Sequence, residues 1–168
     1  MTRTQKAWTV TPNPELAGLF LTERQSRDPG PGEARLRFRA ASLNFRDVMI
    51  ATGQYPYPTK ESPIPLSDAS WEVEAVGEGV TRVAPGDRVI NIFMEKWLSG
   101  DVDHSMAASA YGAAIDGVLA ERRTLPADAL VRLPSSITDE AGATLACAGV
   151  TAWTALFDGP TRLLPGQT

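Results

Sequence analysis

Chemistry in this chain must come from few residues: its 168 positions hold one His, one Cys and three Tyr, among 20 Asp plus Glu and 16 Lys plus Arg. Asn44 stands where a strand pattern breaks into a short helix pattern, with Asp47 three residues later and Gly53 placed to end the helix. That spacing is a capping-box variant followed by a residue suited to a left-handed terminator. A carboxamide at a helix N-terminus can donate to an electron-rich oxygen or a phosphate, because partial positive charge collects there. Two roles stay open for Asn44, cap and donor, and two for Asp47, cap and base. His104 lies between Asp103 and Ser105 with no recognisable partner and reads as a loop residue rather than a base. Cys147 reads as a small core residue, since nothing near it in sequence would generate a thiolate.

The same arithmetic excludes several classes. One Cys forbids an intramolecular disulfide, and one Cys with one His forbids the tetrads that hold structural zinc. A net charge of −4, with no basic run longer than Arg122-Arg123, argues against a nucleic-acid surface. Residues 1–25 mix charges with Pro12 and Pro14 and lack the apolar centre of a signal peptide, so a cytoplasmic location is expected. The uncharged stretch Ala141 to Phe157 is Ala-, Gly- and Thr-rich and falls short of the ~18 apolar residues of a membrane span. It reads as buried helix, broken in two at Gly149.

The elements that must position these residues read as mainly β with short helices. Glu33 to Leu43 is the clearest strand, with Leu36, Phe38 and Ala40 toward a core and Arg35, Arg37 and Arg39 on a solvated face. Tyr55-Pro56-Tyr57-Pro58 must be an extended loop. Three strand-like runs follow, Glu72 to Val76, Val80 to Val83 and Asp87 to Phe93, joined by turns at Gly77-Glu78-Gly79 and Pro85-Gly86. Pro85-Gly86 fits the centre of a type II turn. Gly77-x-Gly79 is no dinucleotide fingerprint, because Arg82 stands where a third Gly is needed and a strand where a helix is needed. Met94 to Asp116 reads as a long loop with a weak helix, and strand pattern returns at Gly117 to Leu125 and Leu130 to Leu133. Thr138 before Asp139-Glu140 starts a helix. The end, Leu163-Leu164-Pro165-Gly166 to Thr168, is a turn where a strand is expected to begin.

Several of these segments resemble one family. Leu43-Asn44-Phe45-Arg46-Asp47-Val48-Met49-Ile50 followed by Gly53-Gln54-Tyr55-Pro56 is similar to the start of the catalytic region in zinc-free medium-chain dehydrogenases/reductases. These include quinone oxidoreductases, NAD(P)-dependent alcohol-dehydrogenase-like proteins and polyketide enoyl reductase domains. Pro65-Leu66-Ser67-Asp68, Val73 to Val80, Pro85 to Val89 and Ala143 to Trp153 resemble the same family in the same order. The resemblance implies a GroES-like β-barrel catalytic domain over residues 1–133. Residues 134–168 would be a helical linker and the first helices of a truncated Rossmann domain.

The resemblance also implies roles. In zinc-dependent relatives a Cys stands in place of Asn44 and a His in place of Ser67, so no zinc is expected. Asn44 would stabilise charge on an oxygen and touch the cofactor, Tyr55 would donate a proton or bind a carbonyl, and Asp47 is a third catalytic candidate. Ser67 and Asp68 would line the substrate pocket, and Thr151 would touch the cofactor. Trp71, where relatives carry small residues, would fill part of the pocket or face outward. The expected reaction is hydride transfer from NADPH or NADH to a small-molecule quinone, enone or carbonyl. These residues alone would be inactive without the missing Rossmann domain, as monomer or homodimer, and no cofactor would stay bound. The other reading is a non-catalytic GroES-like binding or assembly module.

Overall fold

Period-two alternation becomes sheet wherever Gly and Pro do not interrupt it. A computed structural model describes residues 3–158, 163–164 and 166–167; the turn at Pro165 and Thr168 lies outside them. The strands are β1 (Arg3–Val10), β2 (Leu19–Ser26), β3 (Glu33–Ser42), β4 (Asp68–Val76), β5 (Arg88–Asn91), β6 (Arg122–Pro126) and β7 (Leu130–Arg132). Five form one antiparallel sheet in the order β6-β3-β4-β5-β7, and β1 with β2 forms a separate hairpin. A bridge from Ala7 to Ala120 ties that hairpin to the rest. The short helices are α1 (Phe45–Thr52), α2 (His104–Ala107), α3 (Asp139–Ala143) and α4 (Val150–Trp153).

The core packs Leu36, Trp71, Val73, Val89, Tyr111 and Leu130 between the sheet and the loops that cover it. Along β3 the register with β4 shifts between Phe38 and Ala40, so Ala41 rather than Ala40 packs against this core. A bulge of this kind inverts the alternation beyond it. The three arginines of β3 are not idle: Arg35 pairs with Glu74 at 3.2 Å, Arg37 with Glu72 at 2.6 Å and Arg39 with Asp139 at 3.1 Å. The last contact joins the sheet to α3.

Other expectations are corrected. Val80 to Val83 forms no strand; instead Gly77 lets the chain press on Gly30, where a Cβ would come 1.8 Å from the carbonyl oxygen. Strand β5 is shorter than Asp87 to Phe93, and β6 begins only at Arg122. The turn at Pro85-Gly86 forms as expected, with Gly86 at φ 92° and Asp87 N–H donating to Ala84 O at 3.0 Å. The stretch from Ala141 to Phe157 is helical but mostly exposed, and it runs through Gly149 at helical φ −63° and ψ −49° without a break. Cys147 is half-buried rather than a core residue.

Trp71 takes neither expected position. It is fully buried, sits edge-on to Phe38 at 5.7 Å, and donates Nε1–H to Asn91 Oδ1 at 3.0 Å. The buried Asn91 oxygen also accepts from Ala69 N–H at 3.3 Å, while its Nδ2 donates to Ser67 O at 2.7 Å and to Ile92 O at 3.0 Å. Asn91→Ala strands three buried polar groups at the head of β4, so it should cost about 2–4 kcal/mol of stability in urea unfolding. A loss below about 1 kcal/mol would show that these bonds contribute little.

Candidate active site

The register of β3 and β4 brings Ser42 opposite Asp68, which leaves Asn44, two residues on, beside the start of β4. Asn44 then takes the extended N-cap conformation of α1. Its backbone N–H donates to Asp47 Oδ2 at 2.8 Å, and Gly53, at φ 76°, closes the helix. Asp47 thus caps α1. The Asn44 amide reaches away from the helix and donates Nδ2–H to Asp68 Oδ2 at 2.7 Å.

Asn44, Asp47, Ser67 and Asp68 therefore form one cluster. Ser67 and Asp68 are fully buried. Burial pushes the Asp68 carboxyl above its ordinary value, the Asn44 amide and Ser67 hydroxyl offset part of this, and the Asp47 charge adds to it. Burial also raises Asp47, against its bond from Asn44 N–H and the nearby Arg46. Cys147 lies close enough to feel the same charges: burial and the Asp68 charge push its thiol up, against the nearby Arg46.

Tyr55 belongs to a different place. Its ring lines a cavity of about 810 Å³ with Arg46, Tyr57, Lys60, Met94, His104 and a wall of alanines from Ala107 to Ala114. Arg46 stands between the two regions. Its Nε–H donates to the Tyr55 hydroxyl at 3.0 Å and its Nη1–H to Tyr111 O at 2.9 Å. The guanidinium is sandwiched 4.9 Å from both the Tyr55 and Phe93 ring centroids. Lys60, at the cavity wall, pairs with Asp116 at 2.7 Å. Thr151 is exposed on α4 and meets neither group. His104 is exposed at the cavity rim but is the first residue of α2 rather than a loop residue.

Sequence reading missed Arg46 and Asn91. Arg46 stands one helical turn before the buried Ile50, a cation on the inward face, and Asn91 interrupts the apolar run Val89-Ile90-Asn91-Ile92-Phe93. Both were visible as polar residues at core positions.

Zinc does not fit this cluster. It prefers sulfur and imidazole, whereas Asn44 and Ser67 offer an amide and a hydroxyl, and the Asn44 amide turns an N–H toward Asp68. Among the described residues no group of three His, Cys, Asp or Glu could hold a metal ion. The Gly77-x-Gly79 turn is no phosphate cradle, because Gly77 is packed on the Gly30 carbonyl. No helix among the described residues is long and apolar enough to cross a membrane.

This β-fold carries at one end a capped helix bearing an amide and a cation, with a phenol just beyond the helix. Residues 30–135 match the alcohol dehydrogenase GroES-like domain, and the chain belongs to that family, within the medium-chain dehydrogenases/reductases. It is 42% identical over 127 residues to a zinc-type alcohol dehydrogenase-like protein of Schizosaccharomyces pombe, covering 76% of this chain and 37% of that protein. It is 36% identical over 127 residues to a quinone oxidoreductase of Pseudomonas aeruginosa, covering 76% of this chain and 33% of that one. A crystal structure from Sinorhizobium meliloti assigned as an alcohol dehydrogenase superposes with a TM-score of 0.81 at 37% identity, over 92% of this chain and 46% of that one. The chain thus spans less than half the length of these relatives.

The raised carboxyls set a pH dependence. A carboxyl whose folded pKa exceeds its unfolded one binds its proton more tightly when folded, so its contribution is lost as pH rises through the folded pKa. Asp68→Asn keeps an acceptor for the Asn44 amide but cannot ionise. Its stability relative to wild type should therefore rise with pH from the carboxylate range upward, by at most about 1.4 kcal/mol per pH unit. Urea unfolding at a series of pH values checks this, and parallel profiles would refute it.

Proposed function

We propose that residues 1–168 are the substrate-binding and proton-donating part of a zinc-independent, NAD(P)H-dependent oxidoreductase that reduces a quinone, enone or carbonyl. The observation that carries this is the Tyr55 hydroxyl, held by Arg46 at the wall of a roomy, largely apolar cavity. Apolar walls of methionine, valine and alanine suit a planar, weakly polar substrate, and a phenol suits its carbonyl oxygen. Asn44, oriented by Asp68, retains a second amide N–H for an electron-rich oxygen nearby.

The reduced nicotinamide supplies the hydride when it is present, and in this reading other residues than these hold it. We place the division at residues 133/134, with the helical segment beyond it leading toward the nucleotide side. Two exposed apolar groups support a partner surface here. Leu43, Phe45 and Val48 flank Asn44, and Val150, Trp153 and Leu156 lie on the terminal helical stretch. Soluble surfaces rarely leave such groups uncovered. The zinc-type name of one relative and the quinone-reductase name of another leave the donor set of this chain to decide, and its amide and hydroxyl favour the metal-free reaction.

Duroquinone, which lacks a position for thiol addition, should bind residues 1–168 in isothermal titration. Ala108→Trp, on the exposed part of the cavity wall, should weaken it by more than about 10-fold. Dialysis against a chelator should leave binding unchanged, and NADPH should not be oxidised by these residues alone. Failure of the wild type to bind, or binding that ignores Ala108→Trp, would remove the cavity as the substrate site. Turnover by the 168 residues alone would overturn the assignment of the cofactor to other residues.

A further inference from the structure

The Arg46–Tyr55 contact has a direction. A guanidinium has only donors, so the bond at 3.0 Å fixes the phenol oxygen as its acceptor. Among the described residues the phenol donates to no protein group, and the remaining space beside it is the cavity. Arg46 is itself held from three sides, by Tyr111 O at 2.9 Å and by two aromatic faces 4.9 Å away. No described carboxylate lies within ion-pair distance of it, so its place is set by these contacts rather than by a salt bridge.

From this geometry we infer that Arg46 is the positioning residue of the site: it turns the Tyr55 hydroxyl so that its O–H points into the cavity at a substrate carbonyl. The inference rests on the reading of the cavity as a carbonyl site. In the reaction the Tyr55 O–H bond breaks and its proton goes to the substrate oxygen, on which negative charge would develop if a bound reduced nicotinamide supplied the hydride. The phenolate left behind faces the Arg46 guanidinium and regains its proton from water at the cavity mouth. Arg46 itself contributes to the cavity wall, and in this inference it acts on the substrate carbonyl through the phenol.

Infrared difference spectroscopy of bound duroquinone tests this, because a carbonyl stretch falls in frequency when the oxygen accepts a hydrogen bond. The wild type should show that fall. Tyr55→Phe should bind about 5-fold more weakly with no fall. Arg46→Gln, whose shorter amide can also accept from the phenol, should also bind but lose or spread the shifted band, and Arg46→Lys, which like Arg can only donate, should recover part of it. A structural role alone would lower the unfolding midpoint and leave the bound band in place. A wild-type band in Arg46→Gln overturns the inference. So does a band that persists in Tyr55→Phe but vanishes in Arg46→Gln, because Arg46 would then meet the carbonyl itself. If the wild type does not bind, the cavity reading fails and the inference with it; if it binds and Arg46→Gln is unchanged, only the inference fails. Should the Arg46 variants not fold, hydrogen exchange at Arg46 Nε–H decides without them. It should be about 10-fold faster in Tyr55→Phe than in wild type, and equal rates overturn the pairing.

Discussion

A single buried carboxamide, Asn91, holds the rest of this architecture in register. It lies at the end of β5 with no exposure, and its four hydrogen bonds fix Ser67, Ala69 and the Trp71 indole. An amide without partners in such a place would be strongly unfavourable, so its partners are tightly specified. Because Ser67 directly precedes Asp68, the first residue of β4, the position of that strand's first carboxylate follows from Asn91. Asp68 in turn takes the Asn44 amide, Asn44 begins α1, and α1 carries Arg46 to Tyr55 and Tyr111. The end of the fold that bears polar chemistry is thus built as a chain of buried or half-buried hydrogen bonds, each starting where the previous one ends.

The chain of contacts separates two environments only a helix apart. On one side, Asp47 and Asp68 sit in a desolvated cluster that resists ionisation. On the other, a phenol faces an open cavity whose lining charges are cationic, with Lys60 neutralised by Asp116. Arg46 lies between them and stabilises the carboxylates electrostatically while bonding the phenol. One cation thereby serves both sides, and the cavity needs no carboxylate in its wall.

The family places this chain among oxidoreductases whose members differ in their metal chemistry, and local residues decide where this one falls. The fold is shared with a structure about twice its length, so the GroES-like part keeps its shape across that difference. Fold alone does not fix a reaction; donors and acceptors at named positions do. In the reading proposed for this chain those are an amide, a phenol and a guanidinium rather than a thiolate and an imidazole.

Local rules made much of this legible. Alternation located β3, the Asn44-to-Gly53 spacing bounded α1 to the residue, and Pro85-Gly86 announced its turn, because each depends on neighbours within a few positions. Asn44 and Asp47 could be singled out by local spacing and Ser67 and Asp68 by family resemblance, and the four lie together. What local rules could not supply was any outcome set by distant partners. The bulge at Arg39 exchanges Ala40 for Ala41 at the core, Val80 to Val83 loses its strand to the backbone contact at Gly77, and Trp71 goes inward because Asn91 waits there. Composition and spacing determined which chemistries were available to this chain. Only tertiary packing, which satisfies buried polar groups across as many as 65 residues of sequence, decided that Tyr55 would be aimed by Arg46, itself anchored on Tyr111.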